Sequence, residues 1–174
     1  IGSQIRDLEP YRRAAGRMTQ LLKTLSGLGV RLELADFGGG LGISYDGESP
    51  IDERGLARLL GEALKPWPRA RLLVEPGRSL VGEAGLLLTR VLYRKRSGGR
   101  SLVIVDAGMN DLLRPAMYDA YHEIVPVKPR DGEPLAYDVV GPVCETGDTF
   151  TRDRLLPPMQ AGDLVAFLSA GAYG

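Results

Sequence analysis

The chain has 174 residues, of which 44% are hydrophobic and 25% charged, values typical of a globular protein. Its 22 basic residues balance 22 acidic ones, so no net charge favours nucleic acid or an anionic membrane surface as a partner. The apolar runs are far too short to span a bilayer, and we expect neither a membrane span nor a signal peptide. The single cysteine, Cys144, excludes an intrachain disulfide and is typical of a reducing cytoplasm.

The first half of the chain alternates helix and strand patterns. Apolar residues three to four positions apart predict an amphipathic helix from Leu8 to Leu28, and residues 31–37 predict a strand that runs into the segment Gly38–Gly42. A second helix lies between Pro50 and Pro66, and Arg71–Glu75 predict another strand. This order of elements indicates parallel α/β units.

The second half, from about Gly85, has strand patterns separated by glycine or proline turns. Only Asp111 to Tyr121 has a helical pattern. The predicted strands cover residues 86–93, 101–106, 123–127, 136–140 and 163–168. We therefore predict a mostly antiparallel β domain over residues 85–174, after an α/β domain over residues 1–84.

Two motifs in the first half lie at the ends of predicted strands. The backbone amides of Gly38–Gly42 could cradle a phosphate, although the spacing is not that of a dinucleotide or nucleotide phosphate loop, and a tight turn explains the glycines equally well. Glu75 and Arg78 end the next strand, where they either face a site or form an ion pair. Phosphate sites of (β/α)8 barrels often use two consecutive strand ends in this way.

A helical face in the second half carries Arg114 and Tyr118, four residues apart. A guanidinium and a phenol so placed can bind a carboxylate, but an arginine beside a packed tyrosine has the same spacing. The only histidine, His122, has no evident partner in the sequence, and we expect it to be structural.

Two further motifs lie in glycine-flanked segments. Cys144 and Glu145 form an adjacent pair in a predicted loop between Gly141 and Gly147, where a lone cysteine is more often inert packing than a reactive group. Tyr173 presents a phenol between glycines after an apolar strand. None of these motifs is specific by itself.

Taken in order, the motifs resemble those of the fold-type III pyridoxal-phosphate-dependent decarboxylases, and most closely the branch that acts on meso-2,6-diaminopimelate. The resemblance extends over essentially the whole chain. The matching stretches are residues 1–5, 36–42, 75–78, 110–118, 141–148 and 171–174.

The resemblance implies an α/β plus all-β fold, in which residues 1–84 are the C-terminal part of a (β/α)8 barrel and residues 85–174 are a β domain with substrate and dimer-interface loops. It also implies a cytoplasmic homodimer with shared active sites and a small amino-acid substrate. No metal, nucleic acid or membrane partner is expected.

The cofactor implied is pyridoxal 5'-phosphate. Its phosphate is held by the glycine turn with help from Ser3 and Tyr173, and Glu75 pairs with the pyridine nitrogen and keeps it protonated. The complete cofactor-binding set implied by the resemblance is Ser3, Gly38, Gly39, Gly40, Glu75, Pro76, Gly77, Arg78 and Tyr173.

The implied reaction converts meso-2,6-diaminopimelate to L-lysine and CO₂, the last step of lysine biosynthesis. Cys144, from the partner subunit, donates a proton to the carbon that loses CO₂, and Glu145 binds the distal ammonium. Substrate contacts are expected from Arg78, Arg114, Tyr118, Glu145 and Tyr173.

One departure from the family pattern concerns the lysine that holds the cofactor, which belongs upstream of Ile1. The four lysines present, at positions 23, 65, 95 and 128, match no such position. Both ends of the chain have the character of cut ends, and we expect the chain alone to be inactive. The alternatives are a decarboxylase of D-ornithine, D-lysine or a carrier-bound amino acid, and a non-catalytic relative that binds a partner.

Overall fold

The computed structural model describes residues 1–173 and divides them into two units. The first comprises Ile1–Leu80 and the second begins at Val81. The division lies close to the boundary expected between residues 84 and 85. Within residues 1–173 no helix is both long and apolar enough to cross a membrane.

The first unit has the helix–strand order that the sequence predicts. Its elements are α1 (Leu8–Gly27), β1 (Leu34–Gly39), α2 (Glu53–Leu64), β2 (Arg71–Glu75) and the short α3 (Gly77–Val81). β1 starts three residues later than predicted and continues into the glycines.

Aspartates fix the starts of both long helices. The Asp7 carboxylate accepts a hydrogen bond from the Glu9 amide, and that of Asp52 accepts one from Gly55, each at 2.8 Å. Such caps satisfy amides that have no partner within the helix and contribute about 1 kcal/mol each.

β1 and β2 pair in parallel, with Leu34 opposite Arg71 and Gly39 opposite Glu75. The apolar faces of α1 and α2 pack with the segment after β1; the buried residues of this cluster are Tyr11, Ala15, Leu41, Ile51, Leu56 and Leu60. β2 is different, because Leu72, Leu73 and Val74 are 39%, 42% and 41% exposed. Both faces of this apolar strand are therefore partly uncovered.

The second unit is a six-stranded sheet. Its elements are β3 (Leu87–Ser97), β4 (Arg100–Val105), α4 (Arg114–Tyr118), β5 (Ile124–Pro126), β6 (Leu135–Val140), β7 (Thr149–Leu156) and β8 (Leu164–Phe167). The strand order is β5-β8-β3-β4-β6-β7, and all neighbours are antiparallel except β4 and β6. The mostly antiparallel sheet was predicted correctly.

One contiguous cluster of buried side chains forms the core of the second unit. Its members include Leu112, Phe167, Val103 and Val105, none of which is measurably exposed. Burying each such side chain contributes about 1.5–3 kcal/mol. The core therefore anchors both the sheet and the segment that precedes α4.

Two sequence predictions for this unit were wrong. The helix expected over Asp111 to Tyr121 covers only Arg114–Tyr118, because Asp111 and Leu112 form a turn on the Gly108 carbonyl and Asp119 ends the helix in the left-handed conformation (φ 51°). Strand β7 was missed. Its charged stretch around Asp153, which has a φ of 50°, interrupts the apolar alternation, and the pairing with β6 shifts register there.

Helix α2 offers a direct test of the packing. A Cβ on exposed Gly61 would meet no atom within 4 Å, so Gly61→Ala should raise the free energy of unfolding by about 0.5–1 kcal/mol through helix propensity. A Cβ on buried Gly55 would overlap the capping carboxylate of Asp52, so Gly55→Ala should lower it by about 1 kcal/mol. Urea unfolding of both variants measures the difference; equal stabilisation would contradict the described packing.

Candidate functional site

The turn after β1 requires glycine because three backbone segments approach one another closely there. A Cβ on Gly39 would overlap the carbonyl oxygen of Glu75, and one on Gly40, which has a φ of 89°, would overlap the carbonyl oxygen of Gly2. No L-residue with a side chain can replace either glycine without moving the backbone. The glycines of the turn therefore allow close backbone contact, and they also leave backbone amides uncovered by side chains.

The N-terminal segment pairs in parallel with the backbone of this turn through a single β-bridge between Ile5 and Leu41. Ile5 donates its amide to the Gly40 carbonyl at 2.9 Å and accepts from the Gly42 amide at 2.9 Å. The side-chain amide of Gln4 makes two hydrogen bonds to the backbone of Ile43, at 2.6 and 3.2 Å. These bonds fix the position of Ser3.

Arg78 joins this segment from the other strand end. Its Nη2 donates to the Ser3 hydroxyl at 2.8 Å and its Nη1 donates to the Tyr45 hydroxyl at 2.6 Å. Arg78 is 9% exposed, and its guanidinium lies 5.7 Å from the centre of the Tyr45 ring. A nearly buried cation is thus held by two hydroxyl groups.

Polar side chains also support the turn from behind. Asp36 accepts the Gly38 amide at 2.8 Å, and the Tyr11 hydroxyl donates to the Gly39 carbonyl at 3.1 Å. Burial raises the pKa of the Tyr11 phenol above its ordinary value, so the group remains a protonated donor. Neither residue was singled out by the sequence, because a buried tyrosine on an amphipathic helix has the pattern of a core residue.

The groups gathered at these two strand ends fit a phosphate ester that carries a basic ring. A guanidinium, the Ser3 hydroxyl and a glycine turn are donors suited to a phosphate dianion. The exposed carboxylate of Glu75, at the end of β2, is suited to a protonated ring nitrogen. The structure brings together Ser3, Gly39, Gly40, Glu75 and Arg78, all predicted cofactor residues, within the first unit.

In the second unit, Cys144 and Glu145 are both exposed on the loop between β6 and β7. Short-range bonds shape the loop: the Glu145 amide donates to the Val143 carbonyl at 2.8 Å, and the Gly147 amide donates to the Glu145 carboxylate at 3.2 Å. The thiol and carboxylate therefore project from a defined turn.

Asp148 holds this turn to a second loop. Its carboxylate accepts the amide of Val143 and the amide of Met109, each at 2.7 Å, and the residue is only 3% exposed. A Cβ on Gly141 would overlap this carboxylate, so glycine is needed there. Asp148 is the last residue of the matching stretch 141–148, but nothing in the sequence indicates that its carboxylate holds this turn.

Arg114 and Tyr118 are placed differently from each other. Arg114 is 8% exposed and Tyr118 is 70% exposed, although they are four residues apart. The Arg114 guanidinium contacts His122, whose Nε2 lies 2.9 Å from Nη1. His122, for which the sequence shows no evident partner, is 3% exposed and contacts Arg114 through its ring.

Tyr173 is 63% exposed and has a φ of 60°. The preceding segment is fixed by two bonds at 2.9 Å, from the Ala170 amide to the Gly85 carbonyl and from the Gly171 amide to the Gly82 carbonyl. A Cβ on Gly171 would overlap the Val81 carbonyl. Of the motif, Gly174 lies outside the described residues.

Over residues 1–173, no group of three or more histidine, cysteine, aspartate or glutamate side chains is placed to hold an ion. The cationic and hydroxyl donors at the strand ends instead favour an organic phosphate.

A set of donors suited to phosphate on a parallel strand pair, followed in the chain by a mostly antiparallel sheet, agrees with the class of protein that the motifs resemble, the pyridoxal-dependent decarboxylases. The sequence profile described as "Pyridoxal-dependent decarboxylase, C-terminal sheet domain" matches residues 14–171, and the chain belongs to this family. The family resemblance and the pyridoxal cofactor expected from the motifs are thereby confirmed.

Relatives within the family include diaminopimelate decarboxylases. A diaminopimelate decarboxylase from Aquifex aeolicus is 46% identical over 178 residues, which are 100% of this chain and 41% of the relative. The structure of diaminopimelate decarboxylase from Helicobacter pylori complexed with L-lysine is 45% identical with a TM-score of 0.93, over 100% of this chain and 43% of that one.

A lysine/ornithine decarboxylase from Vibrio vulnificus complexed with cadaverine is 26% identical with a TM-score of 0.87, over 99% of this chain and 47% of that one. The chain thus spans less than half the length of these relatives.

Asp148 should stabilise the fold through its bonds to the cysteine loop, the segment Gly141–Gly147 that contains Cys144. Asp148→Ala removes two hydrogen bonds to a buried charge, so it should lower the free energy of unfolding by about 2–4 kcal/mol. Urea denaturation measures this. Asp131→Ala, which removes an exposed carboxylate, serves as the control and should change stability by less than about 0.5 kcal/mol. Equal stability of both variants would contradict the role given to Asp148.

Proposed function

We propose that this chain is the C-terminal part of an enzyme that decarboxylates meso-2,6-diaminopimelate to L-lysine, the last step of lysine biosynthesis. The observation that carries the proposal is the gradient of similarity. Over the whole chain, identity with the diaminopimelate decarboxylases is far greater than with the lysine/ornithine decarboxylase, although the fold is shared.

The domain organisation is part of the proposal. Residues 1–84 form the last portion of a (β/α)8 barrel, and residues 85–174 form the β domain with the substrate and dimer-interface loops. The parallel pairing of β1 and β2 supports this, as do the uncovered faces of β2, since a barrel would cover them with neighbouring strands and helices.

We assign cofactor binding to the residues at the two strand ends. Ser3, the turn Gly38–Gly40 and Tyr173 bind the phosphate. The segment Glu75–Arg78 binds the rest of the cofactor, and Arg78 also contacts the substrate. Arg78 acts both through its hydrogen bond to Ser3 and through its charge. Glu75 supplies the carboxylate for the ring nitrogen. When bound, pyridoxal phosphate provides an electron sink for the carbanion left by CO₂ loss.

Substrate recognition needs groups of both charges, because diaminopimelate has two carboxylates and two ammonium groups. Arg78, Arg114 and Tyr118 provide donors for carboxylate in this proposal. Tyr173 is assigned a further contact with the substrate. Glu145 provides the anion for the distal ammonium. Ornithine-type substrates lack the distal carboxylate and have less use for Arg114.

Cys144 is the proton donor in this proposal. Loss of CO₂ replaces a carbon–carboxylate bond by a carbon–hydrogen bond, and the thiol proton supplies that hydrogen. The exposed position of the thiol on a loop anchored by Asp148 supports delivery to a second subunit. We therefore propose a homodimer in which the cysteine loop of one subunit meets the cofactor of its partner.

The 174-residue chain by itself is proposed to be inactive, since none of its four lysines matches the family position that holds the cofactor. A cytoplasmic location agrees with the lone cysteine.

Replacing the proton donor should reduce turnover without loss of cofactor. Cys144→Ala in the full-length enzyme should lower kcat by about 10²–10⁴, the usual contribution of a positioned general acid. Steady-state CO₂ release measures kcat, and the cofactor absorbance should persist. Thr146→Ala, on the same loop, is the control and should retain normal turnover. Unchanged kcat in Cys144→Ala would rule out the role of the thiol.

Neutralising the anion for the distal ammonium should impair substrate use. Glu145→Gln keeps an oxygen that can accept from the Gly147 amide but removes the charge, so kcat/KM for diaminopimelate should fall about 30-fold or more. Glu133→Gln removes an exposed carboxylate elsewhere and should leave kcat/KM unchanged. If Glu145→Gln retains normal kcat/KM, the substrate must be recognised differently.

A further inference from the structure

The only histidine of the chain makes a buried contact with the arginine proposed to bind the distal carboxylate. Nη1 of Arg114 lies 2.9 Å from Nε2 of His122, and Nδ1 of His122 lies 2.9 Å from the carbonyl oxygen of Leu168. Arg114 is 8% exposed and His122 is 3% exposed. The reaction proposed above makes no use of this histidine.

These two contacts determine where the ring proton lies. An arginine side chain has only donors, so Nε2 of His122 must accept from Arg114. A carbonyl oxygen only accepts, so Nδ1 must donate to Leu168. The ring is therefore neutral, with its hydrogen on Nδ1, and it orients the guanidinium without adding a second positive charge.

The position of the pair in the fold explains why a separate support is needed. Arg114 is the first residue of α4, which has only five residues and no side-chain cap at its start. Leu168 directly follows β8, and its amide donates to the Glu123 carbonyl at 2.9 Å. His122 thus connects a short helix to the end of a sheet strand.

Fixing a long side chain before the ligand arrives removes an entropic penalty from binding. A free arginine loses rotamer entropy when a ligand holds it in one geometry, and this loss weakens binding. Its five N–H donors form a rigid fork, so a hydrogen bond at Nη1 also constrains the plane of the whole guanidinium.

We propose that His122 is a positioning residue that presets the Arg114 guanidinium for the distal carboxylate of the substrate. The inference rests on the proposed function, which gives Arg114 that carboxylate as its ligand. A histidine with a purely structural role would stabilise the fold but would not act on carboxylate affinity through Arg114.

The test uses L-lysine, which keeps the carboxylate that is distal in the substrate. Its equilibrium affinity for the full-length, cofactor-loaded enzyme is measured by calorimetry, alongside KM and kcat for diaminopimelate. His122→Gln retains an acceptor near the Nε2 position. His122→Asn retains a donor near the Nδ1 position but does not reach Arg114.

His122→Asn should weaken L-lysine binding and raise KM about tenfold or more, with kcat changed by less than about threefold. His122→Gln should remain within about threefold of the unsubstituted enzyme in all three quantities. Should His122→Asn not fold, His122→Met, which has the length of glutamine but no amide, takes its place.

A double-substitution cycle distinguishes the role of Arg114 as a ligand of the carboxylate from the role of His122 as its support. Arg114→Ala alone should weaken L-lysine binding, and adding His122→Asn to it should weaken binding little further, because the histidine acts through the arginine. If Arg114→Ala leaves the affinity unchanged, the proposed role of Arg114 fails, and the inference fails with it. If Arg114→Ala weakens binding but the effect of His122→Asn is absent, or is equally large in both backgrounds, the proposed function stands and the positioning role is overturned.

Discussion

The carboxylate of Asp148 links the two loops that matter most in the second unit. One bond reaches the segment before Cys144, and the other reaches Met109, in the loop that leads to α4. Because the residue is nearly buried, each bond is made by a charged acceptor in a poorly hydrated place, where such bonds are strong. This one side chain therefore ties the backbone just before Cys144 to the loop that leads to α4.

The first unit achieves its geometry by a different means. There the backbones of Gly2, Gly39, Gly40 and Glu75 approach so closely that side chains are excluded at the two glycines. Side-chain donors lie beside this backbone, where the Arg78 guanidinium is held between the hydroxyl groups of Ser3 and Tyr45. Much of this site is therefore built from the backbone of the glycine turn, and only a few side chains supply further hydrogen-bond donors.

The sequence predicted the parts of the fold that follow local rules. The span of β2 and the helical periodicity of α2 were correct because apolar spacing and flanking prolines act within a few residues. β7 was missed because the charged stretch around Asp153 hides its alternation. The length of α4 was overestimated because its end depends on the left-handed backbone of Asp119.

For the candidate site, the motif residues could be named from the sequence, but their supports could not. The partners Tyr45, Asp148 and His122 lie 33, 39 and 8 residues from the groups they contact. No spacing rule links residues so separated, since the fold alone brings them together. The roles of the motif residues themselves stay predictions.

The uncovered strand β2 has a practical consequence for handling the chain. Leu72, Leu73 and Val74 form a short apolar run in a two-stranded sheet, and each strand of such a sheet has an open edge. Edges of this kind recruit further strands from other molecules, and apolar faces strengthen the pairing once it forms. In concentrated solution the isolated chain is therefore prone to self-association through this strand, and its yield and shelf life depend on whatever covers β2.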